Sequence, residues 1–559
     1  MSKDVTESDL KQRREIVGGT AYYVDQACVR AATEGRILIL DGIEKAERNV
    51  LPVLNNLLEN REMALEDGRF LVNPKRFDLL VKEGGQSAIE TMEKHKLVKV
   101  SDDFTVIALG LPVPQYVGHP LDPPLRSRFQ SRDVKAPGFE SLLQHLKTLG
   151  PNVPQDTLER LISVAMVLGS QHYQNMDNDS SATSSMMGNV TIPEFPVSIE
   201  NAIKLLNNFH DAQPRFVLDL LYPWSLLPTC EAEQRSLIES TYQRFGVLGL
   251  GREEEGFDQD EGTVVRQCDS TYRLASIDRV SPVTARATFE HVSGKRTSVE
   301  LHCGPYPFEP AEYFVETSYH VSTLVSMLLA HSVGDFCMIG SKGVGKSALM
   351  RHFGKHLGYS VEYIPLYKDM SSRDLLQRRS TTFSGDTIWE NSALVKAAMS
   401  GALAVMDGID TLSFGTMATL QRLIHERETA MPDGRKLLRH SHYDQLQTKY
   451  GWSQEQMEKK GLLRIAPSFR VVALARPVSN GTEGGKPGSW LSPEIISMFQ
   501  FVTVRPLSLQ VIQLPSVISY DTEVLYGHSP FALFLDYRKR HNCWRRFPQV
   551  SLQRPWAFC

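Results

Sequence analysis

Residues Gly340, Ser341, Lys342, Gly343, Val344, Gly345, Lys346 and Ser347 read GSKGVGKS, set between an apolar run, DFCMI, and a stretch with helical spacing, SALMRHFGKHL. Glycines let successive backbone N–H groups turn into one concavity, and a helix start adds the positive end of its dipole. In this strand-to-helix setting the pattern GxxxxGK[ST] is that of a loop built to cradle nucleotide phosphates. Lys346 is expected to neutralise the β and γ phosphates of ATP, and Ser347 to place its hydroxyl on Mg²⁺, a cation that prefers oxygen ligands. Further along, the apolar run ALAVM ends in Asp407. A parallel strand there would bring that carboxylate beside the loop, where it would hold Mg²⁺ through water.

The chain must be large enough to build a sheet around these groups, and it is. At 559 residues and 42% hydrophobic it has room for several cores. A formal charge of −4 with acids and bases interspersed gives no electrostatic footprint for a nucleic-acid partner. Seven scattered cysteines without a CxxC pair fit reduced thiols, not a disulfide framework or a zinc site. No run approaches the roughly 18 apolar residues of a membrane span, and no organelle-targeting peptide is evident at the start.

An internal repeat organises the chain. DVTESDLKQRRE begins at Asp4, and DMSSRDLLQRRS begins 365 residues later at Asp369. RILILDGIE ending at Glu44 matches ALAVMDGID ending at Asp410; DGR recurs at Asp67 and Asp433; FTVIAL from Phe104 matches FRVVAL from Phe469. Blocks in one order at nearly one spacing indicate two copies of one module. The second copy has a strand and glycine turn ahead of its Asp369 block, whereas only three residues precede Asp4. The first module is therefore expected to lack its first strand and loop, as in a truncated form, with reduced stability as the consequence. The expected layout is a first core over 1–135, a helical lid and flexible loop over 136–250, a small β-rich element over 251–305, a second core over 306–506, and a divergent tail over 507–559, read as solvated or disordered.

Together the loop, the DMSSRDLLQRR block, the WENSALVKAA stretch before Asp407 and the duplication resemble the dynein-related, MoxR-like branch of the AAA+ ATPases, and closely resemble a mitochondrial member of it. The similarity covers about residues 1–505. It implies an α/β fold of tandem P-loop NTPase modules with parallel αβα cores and a helical lid. It also implies ATP at module interfaces, assembly with further modules or copies in a ring, and an unidentified protein client. A mitochondrial address follows from the resemblance alone, and a cytoplasmic one stays open.

Several positions depart from the family pattern. Most relatives place glutamate after the strand-end aspartate, but Gly408 follows Asp407 and Gly42 follows Asp41. Asp410, three residues on, is a candidate water-positioning carboxylate; its alternative role, shared with Glu44, is to cap the next helix. Arg476 stands where relatives carry a polar residue, with Leu111 its counterpart; it either meets the γ phosphate or is a surface arginine. Arg126 and Arg128, in LDPPLRSRFQ, resemble the arginine-finger motif, whereas LSPEIISMFQ has Ile496 and Met498 at those places. The fingers of the first module would then serve a neighbouring subunit or another module. Arg378 and Arg379, with the matching Arg13 and Arg14, suit contact with the nucleotide or, better, with an adjacent module, the alternative being a solvated helix surface; His425 and His440 have no metal-ligand spacing. Three readings follow: an ATP-hydrolysing remodelling module, a nucleotide-dependent scaffold that scarcely turns over, and, less well supported by the duplication, a P-loop kinase.

Overall fold

The computed structural model describes residues 1, 3–113, 116, 118–135, 137–177, 199–209, 212–222, 232–247, 272–291, 294–308, 314, 317–477, 490, 491 and 493–506. The tail from 507, the acidic turn after Gly251, the insertion from Asn480 up to Ser489 and most of the polar stretch between the modules lie outside them. Residues 1–507 form one compact unit. No described helix is long and apolar enough to cross a membrane.

The second module is built on a five-stranded sheet, ordered Val361–Pro365, Leu403–Asp407, Arg470–Ala475, Phe336–Ile339, Gln500–Thr503. Every pairing in it is parallel. Parallel strands are covered on both faces, which explains why FCMI, LAVM and VVALA are unbroken apolar runs instead of alternating ones. Asp335, just ahead of the strand Phe336–Ile339, locks its start: Oδ1 accepts from Val471 N at 3.0 Å, and Arg427 grips the carboxylate at 2.7 and 2.8 Å. Helix Lys346–His356 follows the glycine loop directly.

Among the described residues the first module carries the counterparts of two of these strands, Ile37–Asp41 and Thr105–Leu109, paired in parallel. Their burial alternates: Leu38 and Leu40 are buried, while Ile37, Ile39, Ile107 and Leu109 are exposed. In the second module the loop strand and its neighbours make the same strands fully internal. The first module has its own core, from Leu10 to Leu125.

Among the described residues five α-helices follow it, Phe139–Leu149, Gln155–Asp177, Glu200–Asn208, Pro214–Leu221 and Ala232–Arg244. The second of them runs four residues into the polar stretch read from sequence as loop. The buried residues of these helices join the core of the second module, not that of the first, from Leu142 through Val504. Amphipathic spacing shows which face of a helix is apolar but not what it lies against, so this allegiance is invisible in the sequence. A three-stranded antiparallel meander, Tyr272–Ser281, Thr284–His291 and Arg296–His302, contributes to the same core. Gly294 makes its second turn at φ 81°.

Each module also bears a hairpin ahead of its Asp41 or Asp407 strand: Gln12–Val17 with Thr20–Asp25, and Gln377–Thr381 with Thr387–Asn391. The repeated QRR and DGR blocks meet here. Gln12 donates to Asp25 at 2.6 Å and Asp67 at 2.9 Å and accepts from Asp67 N; Gln377 donates to Asn391 at 2.9 Å and Asp433 at 2.8 Å and accepts from Asp433 N. Both glutamines are buried, and a buried amide is tolerated only when its donors and acceptor are met. The pairing of glutamine with a distant Asp-Gly-Arg turn therefore fixes the hairpin on each core.

Candidate functional site

The register of the sheet brings the chemistry-bearing residues to one edge. Ile339 lies opposite Ala475, and Asp407 opposite Leu474, so Gly340, Asp407 and Arg476 emerge together at the carboxyl ends of adjacent strands. Ligands of open α/β sheets bind at such ends.

The three loop glycines are needed for different reasons. Gly343 and Gly345 have φ of 87° and 93°, a left-handed backbone that side chains rarely adopt, and the space beside them is open. Gly340 is not left-handed, but a Cβ there would lie 2.5 Å from the carbonyl oxygen of Val504. Two glycines thus shape the cradle and one lets it close against the sheet. Ser341, Lys342 and Gly343 are exposed at its rim, and Val344 packs on the core. Lys346 and Ser347 are the first two residues of the following helix. Tyr363 donates to the Ser347 carbonyl at 3.0 Å, which holds that first turn against the neighbouring strand.

Lys346 reaches back across the loop, donating to the carbonyls of Gly340 and of Ser341, the latter at 3.0 Å. Burial pushes its ammonium below the ordinary lysine value; Asp407 and Asp410 counter this and Arg476 adds to it. The four charged groups therefore sense one another across the strand ends. Asp407 is exposed at its strand terminus. Gly408 follows in a left-handed conformation, φ 90° and ψ 37°. A Cβ at 408 would meet the Leu366 carbonyl at 3.2 Å, on the side of the sheet away from the loop strand. The turn that replaces the usual glutamate is one that a side chain would strain.

Asp410 does not cap a helix. Its own 3₁₀ turn has no side-chain cap, and the next helix, Phe414–His425, is capped by Ser413. The carboxylate instead accepts from Arg476 twice, from the backbone N at 3.3 Å and from Nε at 2.8 Å. Glu44 makes the matching backbone contact in the first module, accepting from Leu111 N at 3.3 Å. A carboxylate three residues past each strand end thus ties two strands together, a link that sequence reasoning missed although the aligned residues were in view.

The remaining candidates are separated from this edge or from one another. Arg126 is exposed at the end of the short helix Pro123–Arg126 and forms no ion pair among the described residues. Arg128 is held within the first module by Glu59 and by the Pro124 carbonyl. At the matching places Ile496 and Met498 are buried core residues. His425 and His440 join no group of metal-ligating side chains, and there is none among the described residues.

A parallel α/β sheet with a glycine loop, a lysine–serine pair at the start of the following helix and a strand-end aspartate defines a P-loop nucleoside-triphosphatase fold. The family model for the AAA domain of the dynein-related subfamily matches residues 1–129 and 335–499, and the chain belongs to that family. It is 43% identical over 522 residues to von Willebrand factor A domain-containing protein 8 of Mus musculus. That alignment covers 92% of this chain and 26% of the mouse protein, so the chain spans about a quarter of its relative's length. The crystal structure of a putative ATPase from Cytophaga hutchinsonii ATCC 33406 aligns over 32% of this chain and 44% of that one, at 12% identity and a TM-score of 0.22.

Proposed function

We propose that the second module binds Mg²⁺-ATP at Gly340–Ser347 and hydrolyses it, as one unit of a ring-forming remodelling ATPase. The observation that carries this reading is the convergence of Lys346, Asp407, Asp410 and Arg476 on the carboxyl edge of one parallel sheet. The residues present fit the nucleotide and its metal. The backbone at Gly343 and Gly345 leaves an open cradle at a helix start, and Lys346 is already the cation spanning its mouth. Ser347 and Asp407 supply the oxygens for Mg²⁺, whose role when bound is to neutralise charge gathering on the phosphates.

Lys346 would exchange its two loop carbonyls for phosphate oxygens, a stronger, charge-assisted contact. Asp410 is the candidate to orient the attacking water. Each of its oxygens already accepts once from Arg476, and a carboxylate oxygen can accept again. Arg476 fixes the carboxylate's orientation and leaves part of its guanidinium facing solvent. Arg126 suits a finger acting on a neighbouring subunit, whereas Arg128 would first have to leave Glu59.

One observation favours a second reading, a nucleotide-dependent scaffold with little turnover. Gly408, in a left-handed turn, stands where relatives place the hydrolytic glutamate, and the Asp410 tie to Arg476 has a structural counterpart in the Glu44 tie to Leu111. Phosphate release by the purified chain, alongside Lys346→Ala, separates the two. Turnover abolished by the substitution supports hydrolysis at this loop; nucleotide binding without release supports the scaffold; neither binding nor release sinks both.

A further inference from the structure

At their tips the two hairpins touch: Ile16 N donates to Thr387 Oγ1 at 3.2 Å, and Gly19 N to Asp386 Oδ1 at 3.3 Å. Nearer their roots they part around a cavity of about 590 Å³, on the seam between the two modules. That size suits a small ligand. Five arginines line it: Arg13 and Arg14 from the first hairpin, Arg378 and Arg379 from the second, and Arg373 from the short helix Ser372–Leu376 ahead of it. Three carboxylates share the lining, Asp9, Glu66 and Asp374.

Pairing within the chain leaves part of this charge unmet. Asp9 takes Arg373, at 2.5 and 2.7 Å, and Glu15, from outside the lining, takes Arg13 at 3.0 Å. Asp374 is engaged by the cap of its own helix, accepting from Ser371 N at 3.2 Å and Ser371 Oγ at 2.7 Å, and it reaches Arg378 only at 3.8 Å. Arg379 donates to neutral oxygens, the Arg14 carbonyl at 3.0 Å and Thr387 Oγ1 at 3.3 Å. Arg14 is exposed, and its side chain forms no hydrogen bond or ion pair among the described residues. Three guanidinium groups, those of Arg14, Arg378 and Arg379, thus border one cavity without a close carboxylate among the described residues. Arg14 lies opposite Tyr23 in the hairpin register, so the two share a face, and the Tyr23 ring is 37% exposed. Glu66 is also exposed and in no ion pair among the described residues.

We propose that this cavity binds a small organic phosphate, with its phosphoryl group on Arg14, Arg378 and Arg379, its body against the Tyr23 ring, and a hydroxyl or amino group donating to Glu66. A guanidinium is a planar fork of N–H donors that matches the edge of a phosphate. A phosphoryl group offers three acceptor oxygens to three such forks, whereas a carboxylate offers two. Because Arg14 belongs to the first module and Arg378 and Arg379 to the second, the same ligand would tie the modules together. No residue of Gly340–Ser347 lines the cavity. The proposal therefore stands apart from ATP binding and turnover at that loop.

Isothermal titration calorimetry of the full chain carrying Lys346→Ala, which removes the lysine of the glycine loop, provides the test, with AMP as the probe and inorganic phosphate beside it. One AMP per chain should bind with a dissociation constant below about 1 mM. Adding Arg14→Ala or Arg378→Ala should raise that constant by about tenfold or more, the loss expected for a charge-assisted hydrogen bond. Tyr23→Ala should weaken AMP and leave inorganic phosphate as it was. Arg14 and Arg378 are exposed and lightly bonded, so an unchanged Tm shows that their variants are folded. Binding seen only in the chain that keeps Lys346 would assign AMP to the glycine loop and overturn the proposal. No saturable binding of AMP, or binding indifferent to both arginine substitutions, would overturn it equally. Inorganic phosphate bound as tightly as AMP would overturn the part given to Tyr23 and the organic body.

Discussion

Replacing Asp410 with asparagine separates a strand tie from a water-positioning group, because the two roles differ in size. The Asp410 side chain is 8% exposed but its partner Arg476 is 59% exposed, so solvent screens the pair. Such an ion pair contributes about 0.2–1 kcal/mol, and asparagine keeps an amide oxygen to accept one of the two Arg476 N–H groups. The stability loss should stay below about 1 kcal/mol, a fall of roughly 1 °C or less in Tm for a unit of this size. If the carboxylate orients the attacking water, its loss should slow hydrolysis by about 10²-fold or more, close to 2.7 kcal/mol of barrier. Single-turnover phosphate release, with chain in excess over ATP, reads the chemical step directly. Glu44→Gln is the internal control, since Glu44 makes the matching tie to Leu111 in the first module and has no contact with the loop at Gly340–Ser347 among the described residues. It should leave turnover unchanged. A rate for Asp410→Asn within about twofold of wild type would refute the catalytic assignment and leave the tie as the residue's whole role.

Gly408→Glu, which would restore the common family residue, should lower stability by about 1–2 kcal/mol through its left-handed backbone and should not raise turnover, because the new side chain starts toward Leu366; a stimulated phosphate-release rate would contradict the geometry. The His331 imidazole, fully buried, is held down to about 3 from its ordinary 6.5 by burial and then by the charge of Arg470. As pH falls through 6.5 the unfolded chain takes up this proton and the folded chain does not, so stability present above that pH is lost below it, by about 2 kcal/mol at roughly pH 5. Urea unfolding of wild type and His331→Gln at both ends of this window should show the smaller loss in the variant; equal losses would remove His331 as a cause. In the first module, Ile39→Thr combined with Ile107→Thr should slow aggregation, followed by light scattering, while changing stability by less than about 1 kcal/mol, because both side chains are exposed. Unchanged aggregation would exonerate that sheet face.

The sequence determined those features whose cause is local. GSKGVGKS declares its loop because left-handed backbone at Gly343 and Gly345 is a property of single residues, and the apolar runs declare parallel strands because burial on both faces removes alternation. Repetition did the rest, revealing two modules through blocks such as QRR and DGR. Only the tertiary structure decided what depends on which surfaces touch. It joined each QRR glutamine to its DGR turn, gave the five described helices after the first module to the core of the second, replaced the capping alternative for Asp410 with a strand tie to Arg476, and distinguished an exposed Arg126 from an Arg128 bound to Glu59. It also distinguished Gly340, required by the approach of Val504, from its two neighbours in the loop. These are matters of long-range contact, in which an amphipathic pattern or a charged residue specifies what it needs but not which distant group supplies it.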